Sequence, residues 1–283
     1  MSSRHKKLQQ QLQIVKSSGE TQPFSIKKLK RSFERCGLKT RDCDSVIQKL
    51  KPQLKQGMTT KNLYSKAYRL LHKTSPMAAV LYSLKRALFE LGPTGYHFED
   101  YMAKYAQELG YETEVRKILQ GEAVTHEVDV LAHKKRGTVL MECKFHNHQG
   151  KKNDIKLVLY VKARFDDLKN GKTPYRFNEL WIASNTSFTQ DALKYAQFHN
   201  IQLLGTNSPK DENLLAQIER MKLYPITSLK RLTSHHITAL LDRGIFLVKE
   251  LVNEPEAMRR IGMDDHEIAR LYPDIFLLLG RDS

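Results

Sequence analysis

The chain is short of several things, and each shortage closes off a class. Among 283 residues there are three cysteines, Cys36, Cys43 and Cys143. They show neither metal-ligand spacing nor an even pairing, which argues against a disulfide scaffold and for a reducing compartment. No run of 18 apolar residues occurs, and Met1 to Leu12 is too polar for a signal peptide. A cytoplasmic protein that does not span a membrane is therefore expected. There is no Gly-x-x-x-x-Gly-Lys loop, so nothing argues for ATP hydrolysis. The single tryptophan, Trp181, falls in an apparent core strand, where packing is its expected role.

Acidic residues are scarce at the front. Residues 1–92 hold 20 Lys+Arg against 5 Asp+Glu, residues 93–224 hold 19 against 17, and residues 225–283 hold 8 against 9. The net charge of +16 thus belongs to the first segment. A basic face of this kind attracts polyphosphate or nucleic-acid backbone with a steep salt dependence, although a merely solvated surface has the same composition. The length suits two or three small domains.

The chemistry-bearing stretch is His126-Glu127-Val128-Asp129-Val130-Leu131 and Thr138-Val139-Leu140-Met141-Glu142-Cys143-Lys144-Phe145, separated by His133 to Gly137. Both segments alternate and read as strands of one hairpin. With the turn centred between Lys135 and Arg136, Asp129 falls opposite Glu142 and Glu127 opposite Lys144. Val128, Val130, Val139, Met141 and Cys143 then form the face that can be buried. Two carboxylates and a lysine on the other face suit phosphodiester hydrolysis, since hard oxygen ligands hold Mg2+ and an ammonium offsets developing negative charge. An amphipathic hairpin with a solvated, ion-paired face has the same pattern.

The flanks extend the pattern. Gly92 to Glu99 opens a helix with Phe98, Tyr101, Met102, Tyr105 and Leu109 at helical spacing, ended by Gly110; a strand follows at Tyr111 to Leu119. After the hairpin, Asn153 can cap a helix carrying Ile155, Val158, Leu159, Phe165 and Leu168, stopped by Gly171. A strand (Glu179 to Ala183), a helix (Thr189 to Phe198) and a last strand (Ile201 to Gly205) complete an α/β sandwich with a mixed sheet. His146 and His148 sit on a polar loop and read as surface residues, and Gln149 and Lys152 as either DNA contacts or solvation.

On Gly95-Tyr96-His97-Phe98-Glu99, Asp129, Glu142-Cys143-Lys144 and Ile182 to Thr189, residues 93–208 resemble the PD-(D/E)xK nuclease superfamily, specifically Mrr-like restriction endonucleases. The resemblance implies a metal held by Asp129, Glu142 and the main-chain carbonyl of Cys143. It implies Lys144 as the group that positions or activates the attacking water, and Glu99 as support from the first helix.

The front of the chain is mainly helical after a short hairpin. Ile26, Leu29, Phe33 and Cys36 stripe a first helix, Asp44 or Ser45 starts a second, Thr60 caps a third, and Ser75-Pro76 starts a fourth. Ile14 to Glu20, Pro23 to Leu29 and Gly57 to Lys61 make residues 10–92 similar to the ATP-cone domain, a regulatory module for ATP or dATP. By that likeness Lys16 and Lys28 approach the phosphates and Thr60 the nucleoside, with Ser17 where a second basic residue is usual. Residues 224–283 form a small all-α tail, and Leu229 to Ile245 with Arg260 to Met263 look like degenerate helix-hairpin-helix elements. Such motifs grip DNA phosphates through glycine-rich turns, but only Gly262 sits in one here, so packing or protein contact is equally open.

The sequence thus reads as a multidomain α+β chain: ATP-cone, nuclease and helical tail. The expected function is a Mg2+-dependent DNA endonuclease on double-stranded DNA, regulated by ATP or dATP and used against foreign DNA; a homo-oligomer is left open. The alternatives are a non-catalytic nucleotide-sensing, nucleic-acid-binding regulator and a structure-specific repair nuclease.

Overall fold

The structure, a computed structural model, describes residues 12–16, 19–135, 137–148 and 151–281; Ser17 and Gln149 lie outside them. Two compact units divide the chain, residues 1–83 and residues 84–283.

In the first unit, β1 (Gln13–Val15) pairs antiparallel with β2 (Thr21–Pro23), and α1 (Ile26–Arg35) starts where Ser25 Oγ accepts the Lys28 N–H at 3.3 Å. Leu29, Phe33 and Cys36 face the core, whereas Ile26, at the first turn, is exposed. α2 (Thr40–Leu50) begins one turn earlier than Asp44, because Cys43, Val46, Ile47 and Leu50 form one continuous buried stripe and the helix must include all of it. β3 (Met58–Thr59) runs parallel to β1, a pairing too short to read from periodicity. Thr59, not Thr60, caps α3 (Thr60–Thr74), accepting the Asn62 N–H at 3.2 Å. Ser75 caps α4 (Pro76–Phe89), the helix within which the two units divide.

The second unit opens with α5 (Tyr96–Glu108), β4 (Glu112–Gln120), β5 (Thr125–Lys134) and β6 (Gly137–Lys144). β7 (Lys152–Asn153), α6 (Ile155–Asn170), β8 (Phe177–Ser184), β9 (Ser187–Phe188), α7 (Gln190–Phe198) and β10 (Gln202–Leu204) follow. The main sheet has the order β10-β8-β6-β5-β4, antiparallel from β4 to β6 and parallel from β6 to β10, the mixed sheet expected. β7 and β9 add a two-stranded parallel sheet that the alternation did not announce. Asp154 caps α6 through the Lys156 and Leu157 N–H groups, which frees Asn153 for a buried role in β7. Leu159 is exposed, because the buried face of α6 is Val158, Val161, Phe165 and Leu168.

The hairpin is not one-sided. Val130, Val139 and Met141 are buried as expected, yet Leu131 and Leu140, on the face expected to meet solvent, pack with Val158, Val161 and Phe165 of α6. A sheet joined to its neighbours by parallel crossovers is covered by helices on both faces.

The remaining helices, α8 (Leu214–Met221), α9 (Ser234–Leu241), α10 (Pro255–Arg260) and α11 (Asp265–Leu279), belong to this second unit. Tyr101 Oη of α5 donates to Leu223 O at 2.8 Å, Thr227 Oγ1 donates to Ala87 O at 2.8 Å, and Lys104 pairs with Glu250 at 2.8 Å. Gly262 has φ +91°, but Asp264 caps the following α11, and Asp265 and Glu267 fill its first turn, a charge unfavourable to phosphate. Among the described residues no helix is long and apolar enough to cross a membrane.

Candidate nuclease site

The β5–β6 ladder has the expected register, from Lys134 beside Gly137 to Val130 beside Met141, and stops there. The next pair, Asp129 and Glu142, therefore does not close across the strands. Asp129 Oδ2 accepts the Cys143 N–H at 2.6 Å, and Glu142 Oε2 accepts Arg164 Nη1 of α6 at 2.6 Å. The second nitrogen of Arg164 donates to the Glu127 carbonyl, so Glu127 serves through its main chain and does not pair with Lys144. The N–H and C=O of one strand residue point to the same side. The Cys143 carbonyl is thus directed toward β5, beyond the last ladder pair. Lys144 ends β6 with an exposed side chain, while its carbonyl accepts the Ser184 hydroxyl at 2.7 Å.

Glu99 reaches the cluster from α5. It shares Arg116 with Asp100, at 3.2 and 2.8 Å respectively. Arg116 has φ +51°, and the β4–β5 pairs on either side of it, Val115 with Val130 and Lys117 with Val128, leave it level with Asp129. A left-handed arginine costs about 1–2 kcal/mol and here interrupts the strand beside the carboxylates, where local strain commonly serves a site. Its guanidinium lies 5.6 Å from the centre of the Tyr96 ring.

The electrostatics follow from enclosure. Burial, then the charge of Glu142, pushes the Asp129 carboxyl up to about 7, against the pull of the Cys143 N–H and Arg164. Burial also raises Glu142, opposed by Arg164 and Lys144, and it raises Glu99, with Asp129 adding to the effect and Arg116 opposing it. Among the described residues no three His, Cys, Asp or Glu side chains are grouped to hold a metal ion. The donors present are two carboxylates and a main-chain carbonyl, all hard oxygens. That set fits a magnesium-like ion, which keeps several waters and takes one or two protein carboxylates. The charge of Glu142 raises Asp129, while Glu142 itself holds Arg164; a divalent cation would add counter-charge beside Asp129.

Residues 93–208 match the restriction endonuclease family Mrr_cat, and residues 224–275 match the family AF1548-like, C-terminal. An uncharacterized protein of Archaeoglobus fulgidus is 34% identical over 183 residues, which is 63% of this chain and all of that protein. The crystal structure of AF1548, a protein of unknown function, aligns at 30% identity and a TM-score of 0.54 over 66% of this chain and 100% of that one. The chain belongs to the AF1548-like family. A PD-(D/E)xK-type restriction endonuclease domain is present in it, a class that typically uses divalent metal ions. Can2 from Sulfobacillus thermosulfidooxidans, solved with cyclic tetra-adenylate, shares 15% identity over 72% of this chain and 64% of that one. Its TM-score of 0.28 is too low to speak for a common fold.

Beside the carboxylates, this AF1548-like protein has a polar clamp that the sequence reading passed over. His146, expected at the surface, is 8% exposed. Its backbone N–H donates to Asn185 Oδ1 and its carbonyl accepts Asn185 Nδ2, both at 2.9 Å, and its ring Nε2 meets Asn153 Oδ1 at 2.7 Å. Asn153 Nδ2 donates to Ser184 Oγ at 2.9 Å and Thr186 Oγ1 at 3.1 Å. Burial lowers the His146 pKa, with the Asn153 bond opposing. The clamp fixes the end of β6 that carries Lys144. Its signal was the run Ser184-Asn185-Thr186, a polar cluster directly after a core strand. Arg116 and Arg164 gave no signal, since their partners are distant in sequence. Trp181 packs as expected, edge-on to Tyr111 with ring centres 5.7 Å apart.

In the first unit Lys16 Nζ pairs with Glu20 at 2.9 Å, Lys28 stands in the first turn of α1, and Thr60 begins α3. Val15 beside Thr59 means that Lys16 and Thr60 leave the sheet at one end.

Proposed function

We propose that this protein is a Mg2+-dependent endonuclease acting on double-stranded DNA. The observation that carries the reading is the buried, mutually repelling pair Asp129 and Glu142, with Lys144 two residues on, inside the segment that matches the restriction endonuclease family. Asp129, Glu142 and the Cys143 carbonyl would hold the ion, whose chemistry is to neutralise charge on the phosphate and to acidify water. Lys144 stabilises the charge that develops as water attacks the phosphodiester. The His146, Asn153 and Ser184 clamp keeps Lys144 in place, and Arg116 holds Glu99 beside the pair. The test is cleavage of supercoiled plasmid with Mg2+, with and without EDTA, on methylated, unmethylated and branched DNA. Cleavage abolished by EDTA supports the reading, and no cleavage of any substrate overturns it. Dependence on methylation assigns the enzyme to restriction of foreign DNA, and preference for branched DNA to repair.

We infer further that the first unit is an ATP-cone that binds ATP or dATP without hydrolysing it and tunes cleavage. Among the described residues, a hairpin joined by a parallel third strand, the helices α1 to α4, Lys16 and Thr60 at one sheet end, and the basic surplus support this. Cleavage rates with ATP, dATP, a non-hydrolysable analogue and no nucleotide test it, and identical rates in all four refute regulation.

A further inference from the structure

Arg164 is paired with Glu142 and acts on Asp129 through space. Its side chain is 14% exposed and that of Glu142 11%, so the 2.6 Å pair between them is shielded from water. One fork of the guanidinium holds Glu142 on β6, and the other holds the Glu127 carbonyl on β5. It therefore bridges the two strands at the place where their ladder has ended.

The helix that delivers it is fixed in register. Three residues on, Asp167 accepts the Ala123 and Val124 N–H groups at 2.8 and 3.4 Å and the His126 ring at 2.8 Å, and its carbonyl accepts the Glu122 N–H at 2.9 Å. At the end of α6, a side chain on Gly171 would lie 2.6 Å from the backbone of Gly121, so only glycine lets the helix come this close. Arg164 is thus aimed at Glu142 by a rigid element, and the Tyr160 ring lies 5.5 Å from its guanidinium.

A carboxylate oxygen that holds a guanidinium is not free to hold a metal ion, and two cations brought to one buried carboxylate repel each other strongly. Resting on the nuclease reading above, we propose that Arg164 is a positioning residue that occupies Glu142 in competition with the divalent cation. It keeps the splayed strands and the carboxylate in place before the ion arrives. The fork then leaves Glu142 and turns toward the phosphodiester, a group to which guanidinium geometry is well matched. The charge that steadies the empty site thereby lowers its affinity for metal.

The test measures Mn2+ affinity of the full chain by calorimetry, beside Mn2+-supported plasmid cleavage, in wild type, Arg164→Gln and Arg164→Met. Arg164→Gln should bind Mn2+ roughly tenfold more tightly, yet cleave more slowly at saturating metal, a divergence that mere loss of structure does not produce. Equal or weaker Mn2+ binding by folded Arg164→Gln, or an unchanged cleavage rate, overturns the inference. Should Arg164→Gln not fold, Arg164→Met decides: its side chain fills similar space without the charge, so tighter Mn2+ binding than wild type is expected, and unchanged affinity overturns the inference. Wild type that neither binds Mn2+ nor cleaves overturns the nuclease reading and this inference together, whereas active wild type with unaltered variants overturns this inference alone.

Discussion

Asp129 and Glu142 sit where ionising both is costly. An acid whose pKa is raised on folding binds protons more tightly in the folded state, so stability falls as pH rises through the window between the two values. For Asp129 that window runs from the ordinary carboxylate range to about 7. Without metal, the protein should lose stability between about pH 4 and pH 7, and Asp129→Asn should flatten that loss; melting curves at the two pH values with EDTA check both. A steeper loss in the variant would contradict the assignment. Because Glu142 is buried against Arg164, alanine there strands a guanidinium and should cost about 3–5 kcal/mol. Glu142→Gln is the better probe: it should fold and abolish cleavage. Lys144→Ala should lose cleavage while Mn2+ binding persists, since its head group is exposed and holds no donor of the set.

α6 acts as an element through Asp167, whose one carboxylate satisfies two backbone N–H groups of the β4–β5 turn and the His126 ring at the start of β5. Its pKa is lowered, by the Ala123 N–H first and His126 next. Asp167→Ala should lower stability modestly, since the exposed donors it leaves can turn to water, and slow cleavage, because the turn no longer fixes the level at which Arg164 enters. Urea melts and plasmid assays measure the two effects, and a cleavage rate unaffected by a destabilising Asp167→Ala would separate the turn from the site. At this scale the helix and strand succession was legible because long elements carry strong periodicity. The two-residue strands β3, β7 and β9 were not, since two residues have no period.

For the molecule as a whole, the surplus of 15 positive charges in residues 1–92 predicts steep electrostatics. DNA binding by the full chain should weaken sharply between low and physiological salt, in proportion to the phosphates neutralised; a flat dependence would assign the surplus to solvation. Nucleotide at a hundredfold its dissociation constant should stabilise the first unit by about 2.7 kcal/mol. A calorimetric scan of the full chain with ATP or dATP should therefore show one transition moving upward, and Lys16→Ala with Lys28→Ala should abolish that movement. A nucleotide-independent scan would remove the ATP-cone proposal.

By itself the sequence determined what depends on neighbours along the chain. It specified the hairpin register from Lys134 beside Gly137 to Val130 beside Met141 through its alternation, and most of the α5 and α6 stripes through their spacing. It could not decide which polar face would be covered. Alternation shows that a strand has two faces, but burial on both is imposed by α6, and only that packing turned Asp129 and Glu142 from solvated charges into raised carboxylates. Tertiary structure alone brought Arg164 to Glu142 across 22 residues and Asn153 to Ser184 across 31. It also set Arg116, in a left-handed turn of β4, level with Asp129. Partners so far apart leave no periodic trace, because what joins them is the path of the chain in space.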